Sequence, residues 1–203
     1  MITNLTEIIE KEVKAIQNIP LTDAYDKAIE LIIEQVHSKR GTLICSGMGK
    51  AGQIASNLAT TFSSTGTPAY FLHPSEAQHG DLGILRENDL MLLISNSGKT
   101  REIIELVTLA RNLIPGIQFI MITGNGESNL AKNADACLLT GSPSEVCPLG
   151  LTPTTSTTVM TVIGDLLVAE TMRRINFSAY DYAKRHHGGY LGAVSRRRAE
   201  KSG

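Results

Sequence analysis

What the sequence lacks narrows its role before any motif is read. It has no excess of one charge: 19 basic side chains stand against 20 acidic ones, for a formal net charge of -1. No overall field therefore recruits nucleic acid or an anionic membrane, and an anionic ligand has to be held locally. There is no long hydrophobic run either. The longest, 159–169, is interrupted by Asp165 and falls short of the roughly 20 residues that a bilayer span needs. The first segment carries Glu7, Glu10, Lys11, Glu12 and Lys14, not the basic-then-apolar order of an export signal. The three cysteines, Cys45, Cys137 and Cys147, show no CxxC spacing and cannot all pair. That excludes a disulfide framework and a zinc knuckle and points to a reducing cytoplasm. No repeat and no linker interrupts the chain. The one break in composition is Arg196-Arg197-Arg198 and the residues after it, a tail over about 195–203 read as a solvated or disordered end.

What is present fits a single domain over 1–203. With 42% hydrophobic and 19% charged residues, the chain has the composition of an ordinary globular core. Short apolar runs at 43–45, 69–72, 90–95, 119–123 and 136–139 predict five strands. Between them, segments such as 51–62 and 100–113 repeat apolar residues at the three-and-four spacing of a helix. This is the rhythm of βαβ units, and a strand such as Leu90-Met91-Leu92-Leu93-Ile94, apolar on both faces, belongs where helices cover both sides of a sheet. The expected fold is α/β: a three-layer, doubly wound, mainly parallel five-stranded sheet. Two helices at about 4–16 and 21–38 precede it, and a long one at about 156–173 follows.

Ligands of such sheets collect at the carboxyl ends of the strands, where helix N-termini offer free N–H groups. Two loops there stand out. Ser46-Gly47-Met48-Gly49-Lys50-Ala51-Gly52 matches G-x-G-x-x-G, yet the acidic residue that a dinucleotide site wants after the second strand is replaced by His73-Pro74. Ser95-Asn96-Ser97-Gly98-Lys99-Thr100 ends like a P-loop, but Leu93 stands where the first P-loop glycine belongs. Nucleotide hydrolysis is not expected. What remains is a cradle of three hydroxyls, Ser95, Ser97 and Thr100, with the N–H groups that open the next helix, suited to a phosphate monoester. The plainer alternative is that Ser97 or Thr100 caps that helix.

Further stretches fix a resemblance: GTPAYFLHPSEAQHGDLG from Gly66, EVCPLGLTPTTSTT from Glu145 and HHGGYLG from His186. Together with SGMGKAG and SNSGKT, they make the chain similar to the sugar isomerase (SIS) domains, and within them to the arabinose 5-phosphate isomerases, over about 43–192. The resemblance implies the SIS fold and a homotetramer. It also implies interconversion of D-ribulose 5-phosphate and D-arabinose 5-phosphate, feeding Kdo biosynthesis for lipopolysaccharide or capsule. By motif it makes Lys50, Glu102, Glu145 and His186 the catalytic positions. It places Ser46, Gly47, Gly49, Gly66, Thr67, His73, His79, Ser95, Asn96, Ser97 and Thr100 around the substrate, with His73 also the contact for an inhibitory metal. The chain departs from the family pattern in three ways. Lys99 replaces a frequent glutamate, His187 replaces the proline after the catalytic histidine, and no CBS regulatory domain follows, so regulation through such domains is not expected.

Aldose–ketose isomerisation moves a proton between C1 and C2 through an enediol. It needs a base, a group to meet the developing oxyanion and an anchor for the phosphate. Glu145, beside Pro143 and the Cys147-Pro148-Leu149 turn, is the expected base, its pKa raised by partial burial; Glu102 is the alternative. Lys50 serves the oxyanion or the phosphate, and His186 shuttles protons or opens the sugar ring. No redox cofactor or metal is required. Taken singly, each of these residues also has an ordinary reading, as a helix-terminal acid, a solvated lysine or a turn histidine. Two other functions stay open: isomerisation of another sugar phosphate, and a non-catalytic sugar-phosphate sensor.

Overall fold

In the computed structural model, which describes residues 2–202, five strands form one wholly parallel sheet. They are β1 (Leu43–Gly47), β2 (Ala69–Phe71), β3 (Leu90–Ile94), β4 (Gln118–Thr123) and β5 (Ala136–Leu139), ordered β2-β1-β3-β4-β5. The register pairs Leu43 with Leu90 and Gly47 with Ile94, so β1 and β3 run side by side along their whole length.

Alternation along β3 divides the core in two. Leu90, Leu92 and Ile94 face one cluster and Met91 and Leu93 the other, all at 1% exposure or less. On the first face the sheet meets α2 (Ala24–Ile32), α3 (Gly49–Ser64) and α7 (Thr155–Arg174) through Ile32, Leu58, Phe62 and Ile163. On the second, α5 (Arg101–Leu113) contributes Ile103, Leu106 and Ala110. Strands buried on both faces need no alternation in hydrophobicity, which is why they read as continuous apolar runs.

The remaining helices are α1 (Ile2–Gln17), α4 (Pro74–Ala77), α6 (Asn129–Lys132), α8 (Ala179–Arg185) and α9 (Gly189–Ser202). The second predicted helix, 21–38, is α2 continued by a wider π-helical turn, Ile33–Ser38. The basic tail differs from expectation: Arg196, Arg197 and Arg198 are exposed, as anticipated, but they lie within α9. Among the described residues no helix is long and apolar enough to cross a membrane.

The central strands carry the sheet's stability. Leu92→Ala, at a fully buried position, is expected to cost about 2 to 5 kcal/mol, read as a lower urea midpoint at unchanged slope. A loss under about 1 kcal/mol would contradict the packing described.

Candidate active site

At the carboxyl ends of β1 and β3 the chain leaves the sheet in opposite directions, into α3 on one face and α5 on the other. Such a divergence opens a crevice. On the β1 side, Gly52 lies against the end of the strand: a Cβ there would stand 2.5 Å from the Gly47 carbonyl oxygen. This close approach brings Lys50, in the first turn of α3, to the lip of the crevice with its side chain exposed.

The β3 loop is held from several directions. Gly98 has φ 63°, and a Cβ on it would come within 2.1 Å of the Ser128 Oγ, so both the backbone and the space require glycine. Asn125 Nδ2 donates to the Ser97 carbonyl at 3.0 Å, and the Gly124 N–H donates to that of Asn96 at 3.0 Å. The Ser95 and Thr100 hydroxyls share a 2.7 Å hydrogen bond. Thr100 is the N-cap residue of α5, yet its side chain makes no cap hydrogen bond. Capping therefore does not account for it. Ser97 Oγ accepts from the Lys99 N–H at 3.1 Å, within the turn.

These groups meet. A cavity of about 330 Å³ is lined by Lys50, Ser95, Asn96, Ser97 and Thr100, and it is closed by Pro153, Ser156 and Thr157 at the start of α7. A second, more open cleft of about 400 Å³ also reaches Lys50, between α3 and α7.

The other expected site residues are divided between this end of the sheet and the opposite one. Ser46 is wholly buried and donates its hydroxyl to the Leu72 carbonyl at 2.6 Å, which ties β1 to the end of β2 and leaves no donor for a ligand. Gly47 ends β1, and Gly49 opens α3 beside Lys50. His73 and His79 follow β2 at the same end of the sheet. His73 is half-buried and edge-on to Phe71, with Nδ1 buried and unpartnered; His79 is exposed. Among the described residues no three His, Cys, Asp or Glu side chains gather as a metal site. Gly66 and Thr67 precede β2, at the opposite end of the sheet from the cradle, where Thr67 meets His37 Nε2 at 3.0 Å.

His186 is remote from this cavity in the same chain. The 20 residues of α7 span roughly 30 Å, and α8, which His186 terminates, begins beyond the far end of that helix. Its ring stacks on Tyr182 with centroids 3.7 Å apart, and its Nδ1 lies 3.0 Å from the Tyr182 carbonyl. Phe177, just before α8, lies over Gly66. Gly66, Thr67 and His186 thus belong to one end of the molecule, and Lys50 with the hydroxyl loop to the other. Glu102, half-buried, stands in the first turn of α5 directly after the cradle.

Glu145 differs from expectation in its electrostatics. Its Oε2 accepts from the Thr154 N–H at 2.6 Å, the Thr154 hydroxyl at 2.9 Å and the Ser156 N–H at 3.3 Å. It is the anionic cap of α7. Burial pushes its pKa up as the largest single effect, but the hydrogen bonds from Ser156 and Thr154 together outweigh it and hold the carboxyl below the ordinary glutamate value. The expected rise toward neutrality is overturned, because the helix terminus stabilises the charged form. Glu145 also fronts a separate cavity of about 370 Å³, with Lys11 and Lys14 of α1, while Ser156, whose N–H it accepts, lines the Lys50 cavity. In the same loop, hydrogen bonds from Thr152, Leu151 and Leu149 pull the Cys147 thiol down to about 6.

Two parts of the site escaped sequence reasoning. The loop over 124–128 braces the cradle through its backbone and Asn125, with only a Gly-Asn-Gly turn as its signal. The start of α7 walls the cavity, and its hydroxyl-rich run Thr154-Thr155-Ser156-Thr157-Thr158 was the available clue.

Residues 36–170 match the SIS domain family. The chain belongs to the SIS domain family. A solved structure from Bacteroides fragilis NCTC 9343, named as a candidate phosphosugar isomerase involved in capsule formation, is 68% identical. It superposes with a TM-score of 0.93 over 94% of this chain and 99% of that one. A protein of Escherichia coli CFT073, solved in complex with arabinose 5-phosphate, is 34% identical with a TM-score of 0.81, over 91% of this chain and 96% of that one. Among curated proteins, the arabinose 5-phosphate isomerase KpsF of Escherichia coli is 43% identical over 195 residues, 95% of this chain and 60% of that protein. This SIS chain thus spans about three-fifths of the length of the curated relatives it matches first.

The cap geometry predicts how Glu145 titrates. In a ¹³C NMR titration of side-chain carboxyls, its midpoint should fall below the ordinary glutamate value of about 4.3. A depressed folded pKa means that the cap's contribution to stability is present above the unfolded value and is lost as pH falls through the folded one. A midpoint near neutrality would contradict the network.

Proposed function

We propose that this SIS domain is an aldose–ketose isomerase interconverting D-arabinose 5-phosphate and D-ribulose 5-phosphate, a step toward Kdo for lipopolysaccharide or capsule. One observation carries the reading: Lys50 and the Ser95, Ser97 and Thr100 hydroxyls line a single cavity at the β1/β3 divergence. A phosphate monoester there would take hydrogen bonds from the hydroxyls and from the free N–H groups at the start of α5. The names of the 43%-identical KpsF and of the structure holding arabinose 5-phosphate support the substrate class.

In the forward direction a carboxylate removes the proton from C2 of the open-chain aldose, and the electron pair forms the enediolate. The oxygen on C1, which gains the charge, is met by Lys50 as a point charge. The proton returns at C1 while the proton of the C2 hydroxyl passes to the C1 oxygen, leaving the ketose. Glu145 is the proposed base, with Glu102 the alternative. Three of its cap bonds fall on Oε2, and loosening the cap on substrate entry raises the basicity of the group and frees it to turn toward the cavity that Ser156 lines. No redox cofactor is needed for this chemistry.

His186 is proposed to act in the pocket of a neighbouring subunit of a homotetramer, reaching a sugar whose phosphate is held by the partner. Its separation from Lys50 within one chain supports this, as do apolar side chains left in water: Ile9 is 61% exposed, Leu149 77% and Leu151 78%. The free thiols of Cys45, Cys137 and Cys147 support a cytoplasmic location.

Incubation with pentose, hexose and heptose phosphates in D2O, followed by NMR, tests the activity. Arabinose 5-phosphate should yield ribulose 5-phosphate, with deuterium at the transferred position. Turnover of only a longer sugar would move the substrate assignment, and binding without turnover of any would favour the sensor. Ser97→Ala should mainly raise KM, because an anchor binds ground and transition states alike. One charge-assisted bond is worth on the order of 1.5 to 3 kcal/mol, or about 10- to 150-fold. An unchanged KM would remove Ser97 from the cradle.

A further inference from the structure

The first helix supplies a side chain that neither the motifs nor the proposed chemistry uses. Glu12, on α1, has its Oε1 2.8 Å from the Thr155 hydroxyl, which donates to it across 143 positions of sequence. That hydroxyl in turn accepts the Val146 N–H at 3.1 Å. Thr155 is 1% exposed, so its single hydroxyl proton and its accepting lone pair are both committed, away from water. The chain of bonds runs from α1 through the first turn of α7 to the residue directly after Glu145.

Stability by itself does not account for a carboxylate here. The other oxygen of Glu12, Oε2, is buried and has no partner, and an unpaired buried acceptor is costly. The arrangement does achieve orientation. Glu145 accepts from Thr154 and Ser156 on either side of Thr155, and Thr155 holds the next peptide along. The segment bearing Glu145 is therefore fixed to α7 at two successive residues, one through its own side chain and one through the backbone that Glu12 secures.

We propose that Glu12 is a positioning residue for the isomerisation: acting through Thr155, it fixes the Glu145–Val146 backbone against the start of α7, so that the Glu145 carboxylate is correctly aimed when its cap loosens. The assignment rests on the reading of Glu145 as the base.

The test uses the full chain with Glu12→Ala, Glu12→Gln and Thr155→Val, each checked for Tm. In Glu12→Ala, hydrogen exchange at the Val146 amide should accelerate by about tenfold or more. Its kcat should fall by about 10- to 100-fold, the scale of a misplaced catalytic group, with KM within about threefold because the cradle is untouched. Thr155→Val should behave alike, and the two changes together should be no worse than either, since they cut one link. Glu12→Gln keeps an acceptor for Thr155 and should restore both exchange and kcat to within about threefold of wild type. Unaltered Val146 exchange in Glu12→Ala, or a variant that loses Tm but keeps its kcat, overturns the proposal. Glu145→Gln measured in parallel separates the two claims. If it turns over like wild type, the base assignment fails, and the Val146 exchange rate then decides the role of Glu12 without it.

Discussion

The molecule is organised by the adjacency of β1 and β3. Two parallel strands in register from Leu43 with Leu90 to Gly47 with Ile94 end at the same level, and their helices must leave toward opposite faces because both faces have to be covered. No backbone fills the gap between them. Two sets of N–H groups, at the starts of α3 and α5, are thereby turned toward one space, and the residues that follow each strand decide what occupies it. Here those residues are Lys50 on one side and a run of hydroxyls on the other. The rest of the structure serves that crevice: the loop after β4 braces one wall, α7 provides another, and the two apolar clusters hold the strands level.

The start of α7 is the second organising element, and it carries opposing demands. A helix N-terminus attracts carboxylates, and it has drawn in Glu145 directly and Glu12 through Thr155. The attraction fixes the loop after β5, but it also stabilises the charged form of Glu145 and so weakens it as a base. A proton-transfer role for Glu145 requires that some of this capping be given up when the sugar binds. Preorganisation and basicity are thus set against each other at one carboxylate.

The three central strands were legible in the sequence because they are covered on both faces and apolar over most of their length, and the partly exposed edge strands β2 and β5 were located as shorter apolar runs in the same alternation with helices. The cradle was legible for a different reason: Ser95, Ser97, Gly98 and Thr100 occupy adjacent positions, so local spacing carries the whole arrangement. Contacts between distant segments were not. Nothing in the neighbourhood of Glu145 reveals that Thr154 and Ser156 will cap it, which is why its pKa was expected to move the wrong way. The fate of the Ser46 hydroxyl depends on the Leu72 carbonyl, and the partner of Glu12 lies 143 positions away. The last helix was missed because Gly189–Ser202 is polar enough to resemble a solvated end.

In the proposed assembly one chain holds only part of the site, and the function depends on this. Lys50 and the cradle stand at one end of the molecule and His186 at the other, and the proposal joins them across two subunits, with closed symmetry repeating the exchange at each site. Mixing inactive Lys50→Ala with inactive His186→Ala, after mild dissociation and reassociation, tests this most directly. Activity returns if the two groups come from different chains, because some mixed interfaces then contain both intact. If subunit exchange is demonstrated and no activity appears, both groups serve the same chain's pocket, and the claim is contradicted.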